Sequence, residues 1–143
     1  MKHKTPSYQR HRFPSEIISH AVRLLHHFCL SFREVEELLA ERGITVTYET
    51  IRQWCQKFGP VYARKRKNRQ RRLGATWHID EVFVTIQGQR HSLWRAVEQD
   101  GDVIDILVQR RRHPKTAERF FRRMLKSQGR ESRVARHRQP AKV

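Results

Sequence analysis

Acidic side chains are scarce in this chain. Fourteen Asp and Glu stand against thirty-one Lys and Arg, giving a net charge of +17 and a sequence pI of about 11.3. The natural partner of such a chain is a polyanion: DNA, RNA or an anionic membrane. Long apolar runs are also lacking. No segment approaches the ~18 consecutive apolar residues of a membrane span, so insertion across a bilayer is not expected. The start, Met1-Lys2-His3-Lys4, leads into polar residues rather than an apolar signal core, and an intracellular protein is expected. Cysteine is limited to Cys29 and Cys55, in separate segments, with no Cys-x-x-Cys pair. That excludes a disulfide scaffold and predicts two half-buried, reduced thiols. There are nine histidines, and His26 and His27 sit near Cys29, but the spacing fits no structural zinc site. With 37% apolar residues in 143, the core is modest: one ordinary domain or two small ones.

What is present begins with helical periodicity. Residues 1–14 are polar and basic and read as a disordered arm ending at Pro14. Ser15 is placed to cap a first helix carrying Ile17, Ile18, Ala21, Val22, Leu24, Leu25 and Phe28 at helical spacing, ending near Cys29. Ser31-Phe32-Arg33-Glu34 has the form of a capping box. Val35, Leu38 and Leu39 form the stripe of a second helix, and Gly43 suits its end. Thr47 is a candidate cap for a third helix with Thr50, Ile51, Trp54 and Phe58 inside, stopped by Gly59-Pro60. Two short helices joined by a glycine-containing turn predict a helix-turn-helix within a three-helix domain over 15–60. Its last helix is the candidate recognition helix, with Tyr48, Glu49, Arg52, Gln53 and Lys57 facing DNA; Arg52 and Gln53 suit base edges. A helical hairpin that merely packs or dimerises is the alternative.

Residues 64–72 hold seven cations and no acid. A basic linker is expected over 61–75, in which Arg64, Lys65, Arg66, Lys67, Arg69, Arg71 and Arg72 track DNA phosphates. A nuclear localisation signal and a merely solvated charge run are the competing readings of this stretch. From Trp77 the period becomes that of strands: about 77–86, a turn at Gln87-Gly88-Gln89, about 91–97, a hairpin signal at Asp100-Gly101, and about 103–108. Pro114 then suits the first turn of a helix with Ala117, Phe120, Phe121, Met124 and Leu125 on one side and Arg119, Arg122, Arg123 and Lys126 on the other. From Ser127 onward periodicity stops, and a disordered basic tail over 127–143 is expected.

Asp80 lies in the first of these strands, in Trp77-His78-Ile79-Asp80-Glu81-Val82-Phe83-Val84. A carboxylate in a strand that should be buried needs compensation. Alternation puts Asp80 on one face with His78, Val82, Val84 and Ile86, and Glu81 on the other with Trp77, Ile79 and Phe83, so the two cannot easily clasp one ion. Two compensations are open: a metal ion that handles phosphate, or an arginine such as Arg95 on the neighbouring strand.

The order of these pieces carries a resemblance. A helix-turn-helix and basic linker precede Trp77-His78-Ile79-Asp80-Glu81-Val82-Phe83-Val84. Then follow Leu93-Trp94-Arg95-Ala96-Val97-Glu98-Gln99-Asp100-Gly101, Ile104-Asp105-Ile106-Leu107-Val108, Arg111-Arg112 and Ala117-x-x-Phe120-Phe121. Over roughly residues 13–126 this resembles the N-terminal half of a DDE-type insertion-sequence transposase, of the bacterial group called insertion-sequence family six. The resemblance implies an α+β chain: a helix-turn-helix domain, a linker, and over 76–126 the first half of an RNase-H-like core, three antiparallel strands plus a helix. It implies two Mg²⁺ ions held by Asp, Asp and Glu for in-line phosphoryl transfer on DNA ends. Asp80 matches the first of these carboxylates, as catalytic residue and metal ligand. Glu81 matches the family's sequence but is not carried over as a ligand.

The family's second Asp and its Glu find no match here. Asp100, Asp102 and Asp105 belong to the second hairpin and third strand. Residues 135–142, back-translated and read one nucleotide later, yield Leu-Val-Thr-Asp-Asn-Leu-Arg-Lys with permitted codons, which resembles the missing fourth strand. The expectation is therefore a transposase C-terminally truncated by a frameshift. Such a chain binds DNA at the element's terminal inverted repeats, holds Mg²⁺ weakly or not at all, and is catalytically inactive. Self-association and association with intact transposase are the protein partners considered, and a bacterial cytoplasmic, nucleoid-associated location is expected. The rival is a non-enzymatic helix-turn-helix regulator that competes with intact transposase. An RNA-binding protein fits less well, since no aromatic ribonucleoprotein strand motif is present.

Overall fold

In a computed structural model, residues 12–67, 77–99 and 101–127 are described. Much of the expected arm, the linker from Asn68 onward and the tail from 128 lie outside them, as does Asp100. Arg69, Arg71 and Arg72 therefore lie outside the described residues too. The chain divides into two compact units, residues 1–71 and 72–143.

The first unit holds α1 (Ser15–His27), α2 (Phe32–Glu41) and α3 (Tyr48–Lys67). Its core is the sum of the three apolar stripes: Ile17, Ile18, Ala21, Val22 and Leu24, then Val35 and Leu39, then Ile51, Trp54 and Phe58. Ile44 and Val46 plug the core from the α2–α3 connection. Ser15 is not the cap of α1. Pro14 holds that position, with no side-chain hydrogen bond, and its carbonyl accepts the N–H groups of Ile17 and Ile18. The helix stops at His27 because Cys29 takes a left-handed backbone, φ 52°. Phe28 consequently leaves the stripe it was assigned to and stands exposed, its ring edge-on to His27.

The ends of α2 follow the sequence closely. Ser31 Oγ accepts the Glu34 N–H and the Glu34 carboxylate accepts the Ser31 N–H, both at 3.1 Å. At the other end Gly43 sits at φ 82°, a conformation that costs a Cβ-bearing residue steric strain. The Ile44 N–H reaches the Leu39 carbonyl and the Gly43 N–H that of Ala40, the paired bonds of a Schellman motif. Ile44 and Leu39, both buried, complete it.

Thr47 caps α3: its hydroxyl accepts the Thr50 N–H at 3.4 Å, and its carbonyl accepts that of Ile51. The end of α3 differs from expectation. Gly59-Pro60 does not stop it, and residues 61–67 are helical rather than linker. A proline inside a helix removes one hydrogen bond, here the one to the Gln56 carbonyl. Gln56 and Pro60 both lie on the exposed side, where water can serve the carbonyl. Gly59 is buried, and a Cβ there would come within 2.8 Å of His26 Nε2, so glycine permits close approach of α1 to α3.

The second unit is a three-stranded antiparallel meander, β1 (Trp77–Ile86), β2 (Gln89–Glu98) and β3 (Val103–Gln109), followed by α4 (Pro114–Ser127). Gln87 and Gly88, at φ 51° and 79°, form a two-residue turn whose twist suits a hairpin, so β2 begins two residues earlier than the alternation implied. Gly101, at φ 93°, closes the second hairpin, and its N–H reaches the Glu98 carbonyl. One face of the sheet carries Trp77, Ile79, Trp94, Ala96, Ile104 and Leu107, packed with Ala117, Phe121 and Leu125 of α4. At ~25 cal/mol per Å² of apolar area, these aromatic and aliphatic groups are the main force holding helix to sheet. With the three helices of the first unit, the chain is α+β.

Candidate functional site

Each of the adjacent carboxylates on β1 meets an arginine, on opposite faces of the sheet. Asp80 pairs in register with Arg95 on β2. Arg95 Nε donates to Asp80 Oδ1 at 2.7 Å and Nη2 to Oδ2 at 2.6 Å. This is the bidentate fork geometry that makes arginine–carboxylate pairs strong. The side chains are 17% and 27% exposed, so the pair is only partly screened by water. His78, on the same face two residues earlier, is half-buried.

Glu81 points into the face covered by α4 and its side chain is wholly buried. Arg112, from the connection between β3 and α4, donates through Nε to both carboxylate oxygens, at 2.9 and 3.1 Å. The Arg112 guanidinium also lies 5.5 Å from the Trp94 ring centre. Nearby groups hold the same connection in place. The Trp94 indole N–H donates to Gln109 Oε1 at 2.8 Å, and that oxygen also accepts the His113 N–H. His113 Nδ1 accepts the Thr116 N–H, capping α4. The periodicity of β1 placed Glu81 on this face; nothing local in the sequence singled out Arg112, thirty-one positions away, as its partner.

Among the described residues no three His, Cys, Asp or Glu side chains come together as a group able to hold a metal ion. Both Asp80 oxygens accept a hydrogen bond from Arg95, and Glu81 faces away. The donors present do not by themselves make a divalent-cation site.

In the first unit the predicted DNA-facing residues lie along α3. Tyr48, Glu49, Gln53 and Lys57 are exposed, and Arg52 is partly so. Arg52 pairs with Glu49 one turn earlier, through Nε at 3.0 Å and through Nη2. That hydrogen bond lowers the Glu49 carboxyl below its ordinary range and raises Arg52. The Arg33 guanidinium lies 5.4 Å from the Tyr48 ring centre, and the Tyr48 N–H donates to the Glu36 carboxylate. Glu36 thus ties α2 to the first turn of α3, a contact that capping signals in α3 alone could not reveal. Arg64, Lys65, Arg66 and Lys67 lie in the last turn and a half of the same helix rather than in a linker.

Comparison with known proteins places likenesses beside this geometry. Residues 74–140 match the DDE domain of IS240-type transposases. The chain is 29% identical over 136 residues to the transposase for insertion sequence-like element IS431mec of Staphylococcus aureus (strain N315). It is likewise 29% identical over 136 residues to the transposase for insertion sequence element IS257 in transposon Tn4003, also from Staphylococcus aureus. Each alignment covers 94% of this chain and 61% of the relative, so the chain spans about three fifths of their length. It is also 30% identical over 53 residues to the uncharacterized protein pYV0051 of Yersinia pseudotuberculosis, covering 37% of this chain and 50% of that protein. The second unit therefore resembles a DDE domain over residues 74–140, and the chain as a whole is similar to insertion-sequence transposases. No helix among the described residues is long and apolar enough to cross a membrane.

Proposed function

We propose that these 143 residues bind DNA as the recognition portion of an insertion-sequence transposase and do not, by themselves, cut or join it. In this reading α2, the connection 42–47 and α3 are a helix-turn-helix. Tyr48, Glu49, Arg52, Gln53 and Lys57 meet the major groove at the element's terminal inverted repeats, and the cations at 64–72 meet phosphates. The strands and α4 are the first half of an RNase-H-like core, and Asp80 is the counterpart of its first carboxylate ligand. Bound Mg²⁺ supplies such cores with a water or 3′-hydroxyl activated for attack on phosphate. No such step is assigned to these residues, because one carboxylate closed by an arginine does not complete the site. Action in the bacterial cytoplasm, near the nucleoid, goes with this reading.

The observation that carries it is the DDE match over residues 74–140, joined to a net charge of +17. The bidentate Asp80–Arg95 pair further favours a non-enzymatic role, as a regulator that competes with intact transposase for the element's ends or associates with it. Gel-shift titration on terminal inverted-repeat duplexes and on unrelated duplexes, over a salt series, tests the proposal. Binding should be tighter on the repeats at every salt concentration, with steep salt dependence on both. The same mixtures with Mg²⁺ or Mn²⁺ should yield no strand transfer. Equal affinity for all duplexes would remove the recognition role, and strand transfer would remove the non-enzymatic one.

A further inference from the structure

The relationship to DDE transposases makes Asp80 a metal ligand by descent, yet its surroundings in this chain are those of a finished ion pair. Arg95 stands directly opposite it on β2 and meets both carboxylate oxygens, at 2.7 and 2.6 Å. Two of the carboxylate's roughly four in-plane lone-pair sites are used by this fork, and the guanidinium's positive charge beside them repels a second cation. Glu81, the adjacent acid, is wholly buried on the opposite face and held by Arg112. No third His, Cys, Asp or Glu joins Asp80 to form a metal-holding group among the described residues.

We infer that Arg95 is the built-in counter-ion of Asp80, so that Asp80 here is a structural link between β1 and β2, closed to divalent cations. The inference rests on Asp80 being the carboxylate of the DDE strand and is independent of DNA binding by α3. The physical distinction lies in the sign of a stability change. A carboxylate kept for a metal is poorly compensated without it, and neutralising that charge relieves the fold. A carboxylate satisfied by a bidentate arginine does the opposite: removing its charge deletes two charge-assisted hydrogen bonds and strands a half-buried guanidinium.

The test uses the full chain in metal-free buffer. Asp80→Asn should lower the melting temperature by about 4–8 °C, the shift expected for a loss of this class in a small unit. Arg95→Gln should lower it at least as far, and the double variant Asp80→Asn/Arg95→Gln should recover part of the Arg95→Gln loss, because neither charge is then left alone. An unchanged or raised melting temperature in Asp80→Asn would overturn the inference, as would strict additivity in the double variant. Mn²⁺ titration of the unmodified chain gives a reading that needs no variant. The amide NMR signals of Asp80 and Glu81 should broaden no more than those of the surface acids Glu49 and Glu118. Selective broadening at these two positions at millimolar Mn²⁺ or below would show an open metal site and refute the counter-ion role. Loss of DNA recognition would leave this result untouched, so the two readings fail separately.

Discussion

The buried Glu81–Arg112 pair should be markedly asymmetric to mutation. Glu81 has no exposed side-chain surface, whereas the Arg112 side chain is 44% exposed. Arg112→Ala therefore leaves a charged carboxylate inside the α4 face without its partner, and the loss should be about 3 kcal/mol, at the low end for breaking a buried pair because water reaches the arginine side. It also strips the guanidinium from beside the Trp94 ring. A unit with about fifty described residues is stabilised by only roughly 3–8 kcal/mol, so this single change consumes much of the total. Glu81→Gln keeps the volume and an acceptor oxygen for Arg112, which can turn its surplus charge to solvent; about 1 kcal/mol is expected. The double variant Glu81→Gln/Arg112→Ala should lie between them, since no charge is then buried. Thermal melts followed by backbone hydrogen exchange over 77–126 separate this unit from the first. Arg112→Ala should melt more than about 12 °C below the parent and Glu81→Gln within about 8 °C of it. If Glu81→Gln proved the more damaging change, or the double variant fell below Arg112→Ala, the burial argument would be wrong.

Two further outcomes are expected. Ser31→Ala removes the acceptor of the Glu34 N–H and should cost about 1 kcal/mol, read as faster exchange in the first turn of α2 with β1–β3 unaffected; unchanged exchange there would rule out a stabilising capping box. Cys55 is half-buried with its Sγ 3.7 Å from His26 Nε2, and burial raises its thiol above the ordinary value, while Cys29 is exposed. Because the folded chain holds the Cys55 proton more tightly, the associated stability is present below the ordinary thiol pKa and is lost as pH rises through the raised one. At pH 8 a thiol reagent should label Cys29 first and Cys55 at least about tenfold more slowly, and equal rates would count against the burial assigned to Cys55.

Local order was largely legible from sequence. The capping box at Ser31, the glycine at 43, the Thr47 cap, the three strands and the amphipathic α4 are set by contacts within a few residues, where side-chain chemistry and backbone preference act together. Alternation along β1 also fixed that Asp80 and Glu81 face opposite ways. Where local signals misled, packing decided. Gly59-Pro60 looks like a stop, yet the helix runs through it, because Gly59 lets α1 approach and Pro60 falls on the exposed side. The alternatives open for Asp80 were a metal ion or Arg95; cross-strand register joined it to the arginine.

The sequence by itself determined the charge, the elements, and the order of pieces by which the chain resembles a DDE transposase. Those follow from composition and short-range periodicity. Only the tertiary structure decided between the two compensations open for Asp80 and brought Arg112, thirty-one positions away, to Glu81, a pairing no local pattern encodes. A half-buried negative charge must be balanced, and here the fold itself supplies the balance through Arg95 and Arg112.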